Sequence, residues 1–239
     1  MQNMNQMKNI SGFISRALIV LLVLALFGQV SAQEVSAQEV STRDTLRTFG
    51  PRFGIDLARF IYIFTDPSEI GAEGSVDFEI YKNIYPVFEL GYNSISESEE
   101  LFDYSAGGVY ARAGMDYNFL PMKDRSVHHS MTIGFRYGMS VFSHSAEIVQ
   151  IANSYWGEYM PEPYENNLTG HWFEIVGGLK TELVPNLFLG WSVRYKILLN
   201  PGMDPAMIPE LIPGYGTGGE NRAFGLSYSI LYKIPLLKR

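Results

Sequence analysis

Cysteine is absent from all 239 residues. That removes disulfides, thiol catalysis, cysteine-ligated metals and lipoprotein acylation together. Charge is scarce as well: Asp, Glu, Lys and Arg make up 18% of the chain, with a formal balance of −7. An acidic chain lacks the basic surface that a nucleic-acid partner needs. The four histidines, His128, His129, His144 and His171, show no metal-ligand spacing on one element. No Pro/Gly/Ser linker or shift in composition divides the chain, so a single folded domain is expected.

Long apolar runs are missing too. The longest, Ala17 to Phe27, is too short to span a bilayer as a helix. It follows Lys8 and Arg16 and precedes the small-residue stretch Val30-Ser31-Ala32, which is the order of a cleavable export signal. Residues 1–32 are therefore expected to be a signal peptide. Gln33 to Ala37 nearly repeats what precedes it, so cleavage after Ala37 is an alternative. Losing Lys8 and Arg16 takes the charge from −7 to −9. Residues 33–48 have no apolar periodicity and read as a flexible tail, and residues 49–239 as the folded domain.

What the chain has in abundance is alternation. From His171 to Asn200 two runs flank Val184-Pro185-Asn186. In the first, Phe173, Ile175, Leu179 and Leu183 oppose Glu174, Gly178, Lys180 and Glu182. In the second, Leu187, Leu189, Trp191, Val193, Tyr195 and Ile197 oppose Gly190, Ser192, Arg194 and Lys196. Period two on both sides of Pro-Asn is a tight β-hairpin. The runs are about twice the usual strand length, and at roughly 40° of tilt they match the apolar thickness of an outer membrane.

The same reading predicts strands over Arg52–Tyr62, Ser75–Lys82, Pro86–Asn93, Tyr104–Asn118, from Met131 to Val141, and Ala223–Ile234, which makes eight. Long connections are expected near Phe64–Gly74, Ser94–Asp103, Phe142–Gly170 and Pro201–Arg222. Shorter ones fall near Asn83–Tyr85, Phe119–His129 and Val184–Asn186. The fold class is all-β: an eight-stranded antiparallel up-and-down transmembrane β-barrel, with both termini on the periplasmic side.

A soluble lipocalin-like carrier alternates in the same way but turns its apolar face inward. Residue volume favours the membrane orientation. The apolar face carries too many large side chains for an eight-stranded bore, whereas the opposite face is rich in Gly, Ser and Ala. On that inward face seven acids (Asp56, Asp77, Glu79, Glu89, Asp116, Glu174, Glu182) meet six bases (Arg112, Arg136, Lys180, Arg194, Lys196, Lys233). Interleaved ion pairs joined by Trp172, Phe188 and Leu231 would close the bore to ions.

No catalytic, cofactor-binding or metal-ligating residue is assigned, and no cofactor is expected. Asp77 and Glu79 have the residue types for acid–base work, but a structural plug accounts for them. His144, Ser145 and Glu147 lie near an outer strand end, and their spacing differs from the His-x-Ser pattern of lipid A deacylase barrels. Glu97, Glu99, Glu100, Asp103, Glu158, Glu162 and Glu165 read as a solvated acidic surface. Tyr155, Trp156, Tyr159 and Tyr164, with Met203, Met207, Ile208, Leu211 and Ile212, suit either a binding surface or a lid over the barrel mouth. Gly216-Thr217-Gly218-Gly219 lacks the strand-then-helix context of a phosphate cradle.

The stretches FGIDLARF, FELGYNS, YARAGMDYN, TIGFRYGMSVFS, GHWFEIVGGLKTELVPNLFLGWSVRYK, IPGYG and LSYSILYKIPL resemble an uncharacterised family of bacterial outer-membrane barrel proteins, a domain of unknown function. The architecture is similar to small OmpX- and OmpA-type barrels, without their terminal aromatic residue. The resemblance implies a fold and a place in the Gram-negative envelope, but no reaction. The expected protein is thus a small closed barrel presenting long acidic and aromatic loops for surface interaction or envelope integrity, and it is not an enzyme. The alternatives are a lipid-modifying outer-membrane enzyme and the soluble periplasmic carrier. Expected partners are outer-membrane lipid, lipopolysaccharide and the barrel-assembly machinery, and a monomer is expected.

Overall fold

The computed structural model describes residues 48–59, 68–99, 102–120, 129–148 and 162–238. The expected signal peptide, nearly all of the expected tail, and Tyr155, Trp156 and Tyr159 lie outside these residues. Eight strands close one antiparallel barrel: β2 (Arg52–Asp56), β3 (Glu69–Asp77), β4 (Ile84–Glu99), β5 (Phe102–Asn118), β6 (Ser130–Ile148), β7 (Tyr164–Val184), β8 (Leu187–Leu198) and β11 (Arg222–Lys233). Each strand pairs with the next, and β11 returns to pair with both β8 and β2. Two short ribbons complete the fold. In one, β1 (Thr48–Phe49) pairs with β12 (Leu237–Lys238) beside the barrel's turn end. In the other, β9 (Leu211–Ile212) pairs with β10 (Gly216–Thr217) inside the last loop.

The apolar face points outward. Leu90 and Phe135 are 68% and 67% exposed, whereas Trp172, on the other parity, is 0% exposed. From Met131 to Val141, β6 alternates without a break between exposed apolar and buried small or charged residues. The large apolar side chains thus face outward, opposite to the lipocalin orientation.

Strand ends differ from the sequence reading, the first strand being shorter and several others longer. The second strand lies at Glu69–Asp77, not Ser75–Lys82. Glu79 Oε1 accepts a hydrogen bond from the Asn83 amide, and Asn83 adopts φ +66°, so the chain turns at Lys82-Asn83. The first strand stops at Asp56, because the Asp56 carboxylate accepts the Ala58 amide at 2.9 Å and starts a helical turn over residues 57–59. Within the expected loop Ser94–Asp103, residues 94–99 and 102–103 are instead paired strand, with Glu99 opposite Phe102. Within Phe142–Gly170, β6 runs on to Ile148 and β7 begins at Tyr164. The hairpin at Pro185-Asn186 is as expected, with Asn186 at φ +70° and its amide held by Glu182 Oε1 at 2.8 Å.

The wall is therefore uneven. β4 to β7 supply 16, 17, 19 and 21 residues, against five in β2. The four long strands continue past the apolar belt as a free-standing sheet.

Candidate functional site

That continuation inverts the polarity of the faces while keeping the alternation. Within the belt, β4 to β7 present Phe88, Leu90, Val109, Met115, Phe135, Val141, Phe173 and Ile175 outward. Further toward the loop end the outward positions become Ser94, Ser96, Ser105, Ser143, Ser145, Asn167 and Thr169. The inward positions there become Tyr104, Ala106, Phe142 and Leu168, all buried. At the changeover, the Tyr137 hydroxyl lies 2.8 Å from His171 Nδ1. Below this level the sheet is built for an apolar surround, and above it for water.

The inner face of the extension holds the last loop. Leu199 to Asn221 turns back into the mouth and seats Ile212 and Tyr215 against Tyr110, Phe142, Leu168, Trp172 and Leu198. Leu211 packs on Tyr104 and Ala106. Burying several side chains of this size is worth about 1.5–3 kcal/mol each. Polar ties fix the register of the lid. The Lys196 ammonium donates to the carbonyls of Gly214 and Tyr215 at 2.7 and 2.8 Å. The Tyr104 hydroxyl accepts the Glu210 amide. Asp204 Oδ2 accepts from the Tyr164 hydroxyl and from Asn166 Nδ2, and lies 2.9 Å from His144 Nε2. The hydrogen bond from Tyr164 does most to hold the Asp204 carboxyl well below the usual carboxylate range, with Asn166 and His144 adding to it.

Beneath the lid the bore is filled by charge. Arg112 contacts Glu73, reaches Glu89 at 2.8 Å and Glu174 at 3.3 Å. Arg194 bridges the same Glu89 and Glu174 at 2.7 and 3.2 Å. Arg136 pairs with Asp116 at 2.8 Å, and Lys180 with Asp77 at 2.6 Å. Charges this far from water need paired, hydrogen-bonded partners, and Tyr110 and Trp172 help supply them by donating to Glu73 and Glu174. Glycines on neighbouring strands make room for these two rings: a Cβ at Gly138 would strike Trp172, and one at Gly91 would strike Tyr110. Among these charges lies a cavity of about 50 Å³ lined mainly by polar side chains, room for a few water molecules. At the turn end Arg52 pairs with Asp77 and lies over the rings of Tyr85 and Phe188.

Residues 11–239 match the family described as a domain of unknown function, DUF6048. The chain belongs to that family. No curated protein matches the sequence. Among solved structures it is similar to Ail, the attachment invasion locus protein of Yersinia pestis, at 9% identity and a TM-score of 0.44, covering 78% of this chain and 99% of that one. A major outer membrane protein from Thermus thermophilus gives 10%, 0.43, 77% and 99%. Neisserial surface protein A gives 11%, 0.37, 77% and 94%. At that level of likeness the barrel rests on this chain's own strand register.

In this DUF6048 chain the expected inward charges divide. Asp56, Asp77, Glu89, Asp116, Glu174, Arg112, Arg136, Arg194 and Lys196 are buried inside the barrel, and Lys180 is half-buried there. Trp172, Phe188 and Leu231 are buried with them. Glu79 and Glu182 instead cap turns. Glu73 and Arg52, both buried in the bore, are not among the expected inward charges. Glu73 falls within the expected loop Phe64–Gly74, and Arg52 stands at the very start of the expected first strand. The alternation of Gly71, Glu73, Ser75 and Asp77 against Ile70, Ala72, Gly74 and Val76 carries the signal for Glu73.

His144, Ser145 and Glu147 do not converge. His144 is buried under the lid, whereas Ser145 and Glu147 lie on the outward parity, with Ser145 Oγ 2.8 Å from Ser105 Oγ. Among the described residues no group of three or more His, Asp or Glu could hold a metal ion.

Proposed function

We propose that the protein is a closed outer-membrane barrel whose working part is the polar wall and lid above the membrane, serving surface interaction or envelope integrity and catalysing no reaction. The observation that carries this reading is the pairing of an apolar outward belt with a bore blocked twice, by the Arg112–Arg194–Glu89–Glu174 network and by the lid over Trp172. The belt on β6 is about 25 Å tall once its tilt is allowed for, which suits an outer membrane. A carrier for apolar ligands needs an apolar cavity, and this bore offers about 50 Å³ among charges. A lipid-modifying enzyme needs converging His, Ser and acid groups, and His144 faces away from Ser145 and Glu147. The belt lipids and lipopolysaccharide are the natural neighbours of this surface, met by a monomer after insertion by the barrel-assembly machinery.

The test joins fractionation to electrophysiology. The mature chain is expected in the detergent-soluble outer membrane, with heat-modifiable migration and no steady conductance in planar bilayers. A water-soluble periplasmic monomer, or a stable pore of porin size, refutes the reading.

A further inference from the structure

The ion pairs of the bore close among themselves. Five bases, Arg52, Arg112, Arg136, Lys180 and Arg194, meet five acids, Glu73, Asp77, Glu89, Asp116 and Glu174. Lys196 stands outside this set, held by the lid carbonyls. Asp56 stands outside it as well. It is 6% exposed, and among the described residues no basic side chain forms an ion pair with it. Arg59, three residues on, reaches Glu69 and Glu73 instead, at 3.7 and 3.9 Å. Asp56 Oδ1 accepts the Ala58 and Tyr228 amides, which orients the carboxylate but brings no positive charge. A buried charge is ordinarily paired or coordinates a metal. Within the described bore, Asp56 is an acid whose partner the chain does not supply.

The surroundings of Asp56 narrow what that partner is. Asp56 lines the polar cavity of about 50 Å³. Hydroxyls from four strands share the wall: Ser75, Thr132, Ser192, Ser227 and Ser229. Ser229 stands directly opposite Asp56 in the ladder of β2 with β11. Glycines make room for these hydroxyls. A Cβ at Gly54 would come within 2.6 Å of Ser75 Oγ, one at Gly178 within 2.7 Å of Thr132 Oγ1, and one at Gly190 within 2.6 Å of Ser229 Oγ. Carboxylate and neutral oxygens are the ligands of hard cations. One unpaired negative charge matches one positive charge. A divalent ion would exceed it, and among the described residues no three acids or histidines come together to hold one.

We infer that this cavity binds a single alkali-metal cation, held by the Asp56 carboxylate and by serine hydroxyls, Ser229 first among them. The cation completes the pairing of the lumen charges. The site is separate from the polar wall and the lid, so its loss leaves the reading of a closed, inserted barrel untouched.

The full chain, refolded from urea into detergent micelles in sodium chloride or in choline chloride at equal ionic strength, tests this. The readout is the midpoint of heat-modifiable migration. Sodium should raise the midpoint by about 5 °C over the bulky choline ion, because a ligand of the folded state alone stabilises that state. Asp56→Asn keeps an oxygen for the Ala58 and Tyr228 amides and removes the charge. It should erase the sodium gain and, in choline chloride, melt above the natural chain. Ser229→Ala should reduce the gain without altering the barrel. Crystals grown in rubidium chloride should show an anomalous scattering peak beside Asp56 and Ser229, which decides the matter even if Asp56→Asn does not fold. Equal midpoints of the natural chain in the two salts, or a rubidium-free cavity, overturn the inference. So does a sodium gain that Asp56→Asn retains, since it then comes from the surface acids. An infrared band of a protonated carboxyl that disappears in Asp56→Asn overturns it too, because a proton is then the partner.

Discussion

Asp204 Oδ2 lies 2.9 Å from Nε2 of His144, a residue 60 positions away on a different element. Tyr164 and Asn166 bind the same oxygen, so one carboxylate ties the lid to both β6 and β7. These ties make the lid sensitive to acid. The Asp204 carboxyl is held below its ordinary value, first by the Tyr164 hydrogen bond. Its contribution is therefore complete above the ordinary carboxylate pKa of about 4 and is lost only as pH falls through the lower folded value. Protection of residues 201–221 against hydrogen exchange, corrected for the intrinsic rate, should be high at neutral pH and fall only well below about pH 4. Asp204→Asn should raise exchange in that segment several-fold at neutral pH and leave β8 protected.

Arg112 faces three carboxylates, whereas Arg136 has one close partner, Asp116, and a more distant contact with Glu89 at 3.7 Å. Removing either leaves buried acid uncompensated, at a cost of about 3–5 kcal/mol for a dry pair. Arg112→Met should be the more damaging of the two. The midpoint of heat-modifiable migration in detergent gives the comparison, and equal midpoints would contradict a shared Arg112 hub.

Two glycines on opposite faces should respond in opposite ways. Gly138→Ala drives a Cβ into the Trp172 indole and should cost about 1–3 kcal/mol through overpacking. Gly177→Ala points into open space, with nothing within 4 Å, and should stay within about 0.5 kcal/mol. Urea unfolding in lipid vesicles measures both.

Lys196→Met removes the ammonium that holds the Gly214 and Tyr215 carbonyls. The lid should loosen, with faster exchange at 211–217. The bore should nonetheless remain silent in bilayer recordings, because the Arg112 and Arg194 network lies beneath it. A steady current from this variant would show that the lid alone seals the barrel.

The eight strands, the outward apolar face and most of the lumen charges were legible because alternation survives wherever the two faces differ sharply in polarity. The strand ends were not. Ser94 to Asp103 read as a loop because Ser94, Ser96 and Ser98 are loop-type residues, and because the contrast between faces reverses near Tyr92 instead of ending. Glu79 and Glu182 share the inward parity of Glu174, and only the turns at Asn83 and Asn186 distinguish a capping glutamate from a buried one. The choice between a lid and an open binding loop depended on contacts such as Ile212 with Trp172, which periodicity does not encode.

The inversion of faces along β4 to β7 also means that two solvents proofread one alignment. A slip of a single residue moves every side chain of a strand to the other face. In β6 that would carry Arg136 toward lipid and Phe142 toward water in one step. Neither region can compensate for an error in the other, so the sheet has one alignment that both tolerate. A strand crossing a single environment is checked once along its length, and each of these four is checked twice.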